Sequence, residues 1–135
     1  LPHCYAQQAY DRQEATVIDG LGADAPVVTN DQGGRQADSP YFFRGLPPLA
    51  LAAVARCMKE KAQEYDKDTP GGPFENVLDR NWHKIPEWSH LEHAYHHLIA
   101  EVAGDTADDH LTHLATRALM ALHLREARKA RENQE

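Results

Sequence analysis

Two helix-period runs joined by almost no chain constrain this fold more than any other feature of the sequence. Over residues 89–103, Leu91, Ala94, Tyr95, Leu98 and Val102 recur at three- and four-residue steps. Over residues 107–128, Leu111, Leu114, Ala115, Ala118, Leu119, Ala121 and Leu122 cover a wide apolar face in the same way. Little more than Gly104-Asp105 separates the runs, and helices joined so tightly must lie antiparallel. Ser89-His90-Leu91-Glu92 has the form of a capping box, which starts the earlier helix at His90, and Gly104 is the favoured residue just past a helix end. Thr106-Ala107-Asp108-Asp109 repeats that logic for the later helix, with Asp109 in the reciprocal position. Its charged end, residues 125–135, is expected to be solvated and frayed.

A further helix lies upstream. Pro47-Pro48 signals a start, and Leu51, Val54, Met58, Ala62 and Tyr65 share one side until Pro70-Gly71-Gly72-Pro73 enforces a loop. Phe74, Trp82 and Ile85 mark a packed connector over residues 74–86, with room for a short helical turn. Residues 1–40 show no sustained period; Val27-Val28-Thr29 is an extended segment, Gly33-Gly34-Arg35 reads as a turn ahead of an anion cradle, and Tyr41, Phe42 and Phe43 are placed to pin the arm to the core. The expected fold is therefore all-α, a small bundle of three main helices with an irregular N-terminal arm. Its parts are the arm (1–40), a helical domain (41–128) and a charged tail (129–135). Three helices do not cover every apolar face, so a homo-oligomer sharing a bundle is expected.

The 135 residues suit one core. A net charge of −7 repels a phosphate polymer, which argues against a polymeric nucleic-acid partner but leaves small nucleotides open, because local cations or a bound metal can reverse the sign of one pocket. Cys4 and Cys57 make no disulfide framework, and Cys57 reads as a small core residue. No apolar run reaches the roughly 18 residues of a membrane span and the opening residues form no signal peptide, so the expected location is the cytoplasm, with no membrane partner.

Nine histidines are the chemically informative residues. At about 100° per residue, His90, His93, His97 and Glu101 fall in one stripe of the earlier helix, and His110, His113 and Arg117 share a stripe of the later one, with Asp109 a turn before His113. Antiparallel packing lets the stripes face each other. Converging imidazoles and carboxylates suit a divalent transition metal, whereas carboxylates alone suit magnesium or manganese. The opposing reading is that single histidines cap or solvate helix surfaces and that Asp108 and Asp109 favour a positive helix start. The His-Asp dipeptide of HD phosphohydrolases is absent, as are His-Glu-x-x-His, a phosphate-binding loop ending in Gly-Lys-Ser/Thr and a Gly-x-Ser-x-Gly elbow. Glu87-Trp88-Ser89-His90 has the di-iron spacing once, but a cap at Ser89 would leave Glu87 outside the helix.

An ordered set of motifs resembles a known family. Asn30-Asp31-Gln32-Gly33-Gly34-Arg35-Gln36, Pro47-Pro48-x-Ala50-Leu51, Arg80-Asn81-Trp82-x-Lys84-Ile85-Pro86, and His90-Leu91-x-His93-Ala94 through Gly104-Asp105-x-x-Asp108-Asp109-His110-Leu111-x-His113 are similar to the phage and bacterial dATP/dGTP diphosphohydrolase N-terminal domain family. The resemblance spans about residues 30–125. It implies a helical, MazG-like pyrophosphohydrolase that converts a purine deoxynucleoside triphosphate to monophosphate and pyrophosphate, with divalent metal (Mg or Mn, or a transition metal) and a small-molecule nucleotide as partners. The Glu-Glu-x-x-Glu and Glu-x-x-Asp pattern of MazG proteins is not reproduced; Glu60 and Glu64 with Asp105 and Asp108 are a loose substitute.

Under that implication Glu64, Glu101 and Asp109 are the candidate catalytic carboxylates. His90, His93, His97, Asp105, His110 and His113 are the candidate metal ligands, and Arg80, Asn81, Trp82, Lys84 and Arg117 the candidate substrate contacts. Against these stand a core role for Trp82 and a salt bridge for Arg80. Two other functions compete: a metal- or nucleotide-binding module without turnover, and a phage structural or interaction protein whose arm wraps a neighbour.

Overall fold

A computed structural model of the chain describes residues 18–21, 24–75 and 80–134. Cys4, which entered the reading above, lies outside the described residues, as do residues 1–17 of the arm. In chain order the elements are β1 (Val27–Thr29), β2 (Arg35–Ala37), a 3-10 turn (Phe43–Gly45), α1 (Pro48–Tyr65), a second 3-10 turn (Asn81–Lys84), α2 (Glu87–Val102) and α3 (His110–Gln134). The domain is mostly helical, with three main helices as expected.

The arm contains more order than its composition implies. β1 and β2 pair antiparallel with Val28 opposite Gln36. Asn30 makes the turn: its Oδ1 accepts from Gln32 N–H at 3.0 Å and Gly34 N–H at 2.8 Å, and Gly33 supplies a φ of 84° that side chains resist. Gly34 N–H is thereby engaged within the turn. The aromatic cluster does not pin the arm to the core. Tyr41 stacks on Phe43 with ring centroids 5.5 Å apart and its hydroxyl bonds Asp19 carbonyl, while Phe42 is 71% exposed. The cluster organises the arm against itself.

Both boundaries of the α2–α3 hairpin differ from the capping-box reading at their starts. α2 begins at Glu87, with Pro86 in the N-cap position, so Ser89 lies inside the first turn. An X-Pro step forces extended backbone ahead of the helix, and the helix propagates from the first residue after it. At the other end Gly104 behaves as expected. With φ at 82° it lets its own N–H reach Glu101 carbonyl and Asp105 N–H reach Ala100 carbonyl, the paired bonds that close a helix C-terminus. α3 is capped by Asp109 itself, whose Oδ1 accepts from Thr112 N–H at 3.3 Å, and not by Thr106.

α3 also continues to Gln134 instead of fraying from Arg125. Ala127 is buried, and Arg128 bonds both Glu87 at the start of α2 and Glu132 one turn further on. These contacts anchor the last turns to the opposite end of the hairpin.

α3 is the shared element: α2 packs along it and α1 packs against another side. The core is thin, built from Cys57, Ala94, Met120, Ala121 and Ala127. Small side chains let the backbones approach closely, and the buried polar residues Asp66, Arg80, His90 and Thr116 are left to fill the remaining interior. On α2, Trp88, Leu91, Tyr95, Leu98, Ile99 and Val102 form an exposed stripe about 100° wide, turned away from the buried His90 and Ala94.

Candidate functional site

The short connection between α2 and α3 places the middle of one helix against the start of the other. Donor atoms of His97, Asp108 and His113 lie within 4.8 Å of one another, a group that could hold a metal ion. The His97 and His113 rings stand nearly perpendicular with centroids 5.1 Å apart, and His113 Nδ1 is 3.5 Å from Asp108 Oδ2.

Behind His97 stands a supporting pair. His110 Nε2 lies 2.8 Å from Asp105 Oδ2, and His110 Nδ1 lies 2.9 Å from His97 Nδ1. A carboxylate only accepts, so His110 carries its proton on Nε2. Its bare Nδ1 then accepts from His97 Nδ1–H, which leaves the lone pair of His97 on Nε2. This is the tautomer a metal-ligating or proton-accepting imidazole needs. Burial, followed by the neighbouring His113 and His110, holds the His97 pKa below its usual value, which favours the neutral ring. Asp105 is held below the ordinary carboxylate range by Ala107 N–H and then by His110.

His90 stands apart from this group. It is fully buried, its Nε2–H donates to Trp82 carbonyl at 2.9 Å, and its Nδ1 accepts from Arg117 Nη1 at 3.0 Å. Both nitrogens are engaged, so His90 ties the second 3-10 turn to α2 and α3 and has no lone pair to offer. Burial lowers its pKa, with Arg117 acting the same way and the bond to Trp82 opposing.

The other expected residues disperse. His93 is exposed on the flank of α2 beside His96. Glu101 is exposed one turn beyond His97, without a partner among the described residues. Glu64 is exposed on α1 and pairs with Lys61 at 3.6 Å, and Asp109 serves as the α3 cap. Thus the expected stripe of four meets the opposing helix only through His97 in the cluster and His90 below it.

A cavity of about 260 Å³ adjoins the cluster, close to the lower size limit of small-molecule sites. His97 and His113 form part of its wall, together with apolar Met58, Trp82 and Met120. Lys61, Arg80 and Arg117 line it too, against the single acid Asp66. Asp66 follows the last turn of α1, and its Oδ1 accepts from Asn81 N–H at 2.9 Å, which fastens the second 3-10 turn over the cavity. Of the expected substrate contacts, Arg80, Asn81, Trp82 and Arg117 line this space; Lys84 faces a separate surface groove. Trp82 packs on His83 with centroids 3.8 Å apart, so a core role and a place on the cavity wall coexist.

The sequence reading named Asp108 only as part of a loose substitute for the acidic motif and not among the candidate ligands, and it missed Lys61 and Asp66 as cavity residues. Asp108 carried a signal, since it sits within the Asp105-x-x-Asp108-Asp109 run, but its carboxylate had been credited to the helix start. Nothing in the local pattern marks Asp66, whose role depends on a residue fifteen positions away.

The fold and site define a small, mostly helical domain with a candidate His₂-carboxylate metal group beside a cation-lined cavity. The chain belongs to the family described as dATP/dGTP diphosphohydrolase, N-terminal, whose model matches residues 30–134. That description names the hydrolysis of purine deoxynucleoside triphosphates, and so a small nucleotide as substrate. Neither a search of curated proteins nor one of solved structures returned a match. Among the described residues, no helix is long and apolar enough to cross a membrane.

Proposed function

We propose that the domain hydrolyses a purine deoxynucleoside triphosphate to the monophosphate and pyrophosphate with the help of a divalent metal ion. One observation carries the reading: His97 and His113 belong at once to the three-donor group and to the wall of the cavity that Arg80 and Arg117 line. Metal ligation and phosphate binding can therefore meet at one place. Two imidazoles and a carboxylate suit manganese, cobalt or zinc better than magnesium, which prefers oxygen ligands, and three protein donors leave positions open. A bound ion would neutralise charge on the triphosphate and make phosphorus more electrophilic.

The chain's own residues do the rest. Asp105 and His110 hold the His97 ring in one tautomer and orientation. Arg117 and Lys61 draw the triphosphate into a pocket whose sign opposes that of the whole chain. Asn81 and Trp82 shape the wall against which the nucleoside rests. Water oxygen attacks the α-phosphorus, the bond to the bridging oxygen breaks, and pyrophosphate leaves. Glu101, one turn beyond His97 on the same face of α2, is the carboxylate assigned to take the proton of that water.

An enzyme of this kind works on the cytoplasmic nucleotide pool, of the host cell where the chain is phage-encoded. The exposed stripe on α2 supports a homo-oligomer, because six large apolar side chains on one helix exceed the exposed patch usual for a monomer.

The test is product analysis of dGTP and dATP incubated with Mg, Mn, Co or Zn. Pyrophosphate and monophosphate in equal amounts, lost in His113→Ala and Asp108→Ala with the fold intact, are expected. Orthophosphate or triphosphate as product moves the reaction to another class. Metal or nucleotide binding without turnover makes the domain a binding module, and no response to either returns it to an interaction protein.

A further inference from the structure

The cavity wall holds a cation that the described residues do not neutralise. Arg80 is 9% exposed, its Nη1 is fully buried without a hydrogen-bond partner, and it enters no ion pair among the described residues. The salt bridge that stood against a substrate role for Arg80 is absent among the described residues. The other buried polar side chains are accounted for: Asp66 Oδ1 holds Asn81 N–H, His90 bridges Trp82 and Arg117, and Thr116 Oγ1 donates to Thr112 carbonyl. A guanidinium cannot escape the penalty by losing its proton. A buried donor left in this state weakens the fold, so its presence calls for an acceptor from outside the chain.

The neighbourhood states what kind of acceptor. Arg117 and Lys61, the latter paired with Glu64 at 3.6 Å, line the same cavity as Arg80; Asp66 is the one acid of that lining, and one of its oxygens is already engaged. In a chain of net charge −7 this is a local reversal of sign. We infer that Arg80 is the anchor of a metal-independent phosphoryl subsite, its Nη1 donating to a non-bridging oxygen of a phosphate ester or of pyrophosphate. The inference deepens the proposed function, since it assigns one phosphoryl group of the substrate to protein cations and not to an ion held by His97, Asp108 and His113. It does not require hydrolysis.

Two consequences follow that a structural arginine would not share. Polyphosphate binding survives removal of metal, and the unliganded protein gains nothing from the charge. The experiment is thermal melting in EDTA at constant ionic strength with inorganic pyrophosphate, dGMP or malonate, for the wild type, Arg80→Met and Arg80→Lys. Pyrophosphate and dGMP are expected to raise the wild-type Tm by several degrees at on the order of a hundred times Kd. Malonate, the carboxylate control, is expected to leave it unchanged. Arg80→Met keeps the apolar stem, so its Tm without ligand should equal or exceed that of wild type while the pyrophosphate shift disappears; Arg80→Lys should retain part of the shift.

A wild type that ignores pyrophosphate in EDTA overturns the subsite even if metal-loaded protein turns over dGTP. Conversely, an inactive protein with an Arg80-dependent pyrophosphate shift retains the subsite and loses the proposed reaction. An equal response to malonate overturns the phosphoryl assignment. Arg80→Met that melts well below wild type, or does not fold, overturns the reading of Arg80 as uncompensated.

Discussion

Consider His90→Gln, a substitution that separates a structural histidine from a metal ligand. In the folded protein His90 donates through Nε2 to Trp82 carbonyl and accepts at Nδ1 from Arg117. A glutamine amide can still donate toward Trp82, but it presents no acceptor at the position of Nδ1. The lost charge-assisted bond is worth roughly 1.5–3 kcal/mol. Imperfect filling of the ring's fully buried volume adds about 1 kcal/mol. A total near 3 kcal/mol at about 4 °C per kcal/mol predicts a Tm lower by about 12 °C.

The penalty should also depend on pH. His90 has a folded pKa below 6.5, so its neutral form contributes fully above that value and the contribution falls as pH drops below it toward the folded pKa. In that interval the gap between wild type and variant should narrow by up to about 1.4 kcal/mol per pH unit. Urea titrations at pH 8 and pH 5.5, with metal content measured alongside, supply the check. A gap that does not change with pH, or a variant of wild-type stability that has lost bound metal, would refute the reasoning and return His90 to the metal ligands.

Other expectations concern different levels of the structure. Asp105→Asn removes the acceptor that sets the His110 tautomer, and isothermal titration should show metal binding weakened by roughly 10–100-fold with stability little changed. Arg128→Ala breaks the exposed links to Glu87 and Glu132; the melting temperature should hardly move, and faster amide exchange should be confined to the last turns of α3. Ile99→Lys places a charge in the exposed stripe of α2, and sedimentation should report a smaller species than wild type at equal concentration; identical sedimentation would remove the stripe from any interface.

The helices were legible because their apolar periods are local and strong, and the antiparallel hairpin followed from the shortness of the Gly104-Asp105 connection. Gly104 was legible for a stereochemical reason, its positive φ. The start of α2 was misread because two local signals competed, the capping box at Ser89 and the helix-initiating Pro86, and the backbone restriction imposed by proline prevailed. The extent of α3 was misread because Arg128 reaches a partner 41 residues away.

Histidine chemistry shows the same division. Spacing alone put His90, His93, His97 and Glu101 in one stripe and brought that stripe near His110 and His113, so the sequence determined that imidazoles would gather at this hairpin. Only tertiary structure decided what each ring does. The rotation of α2 against α3 sends His97 to His110 and His113, commits both nitrogens of His90 to Trp82 and Arg117, and leaves His93 on the outer flank. Helical periodicity specifies the direction of a side chain around one axis. Ligation and hydrogen bonding depend on a few ångströms between two axes, and that distance is set by small core residues such as Ala94 and Ala121, whose packing no single helix encodes.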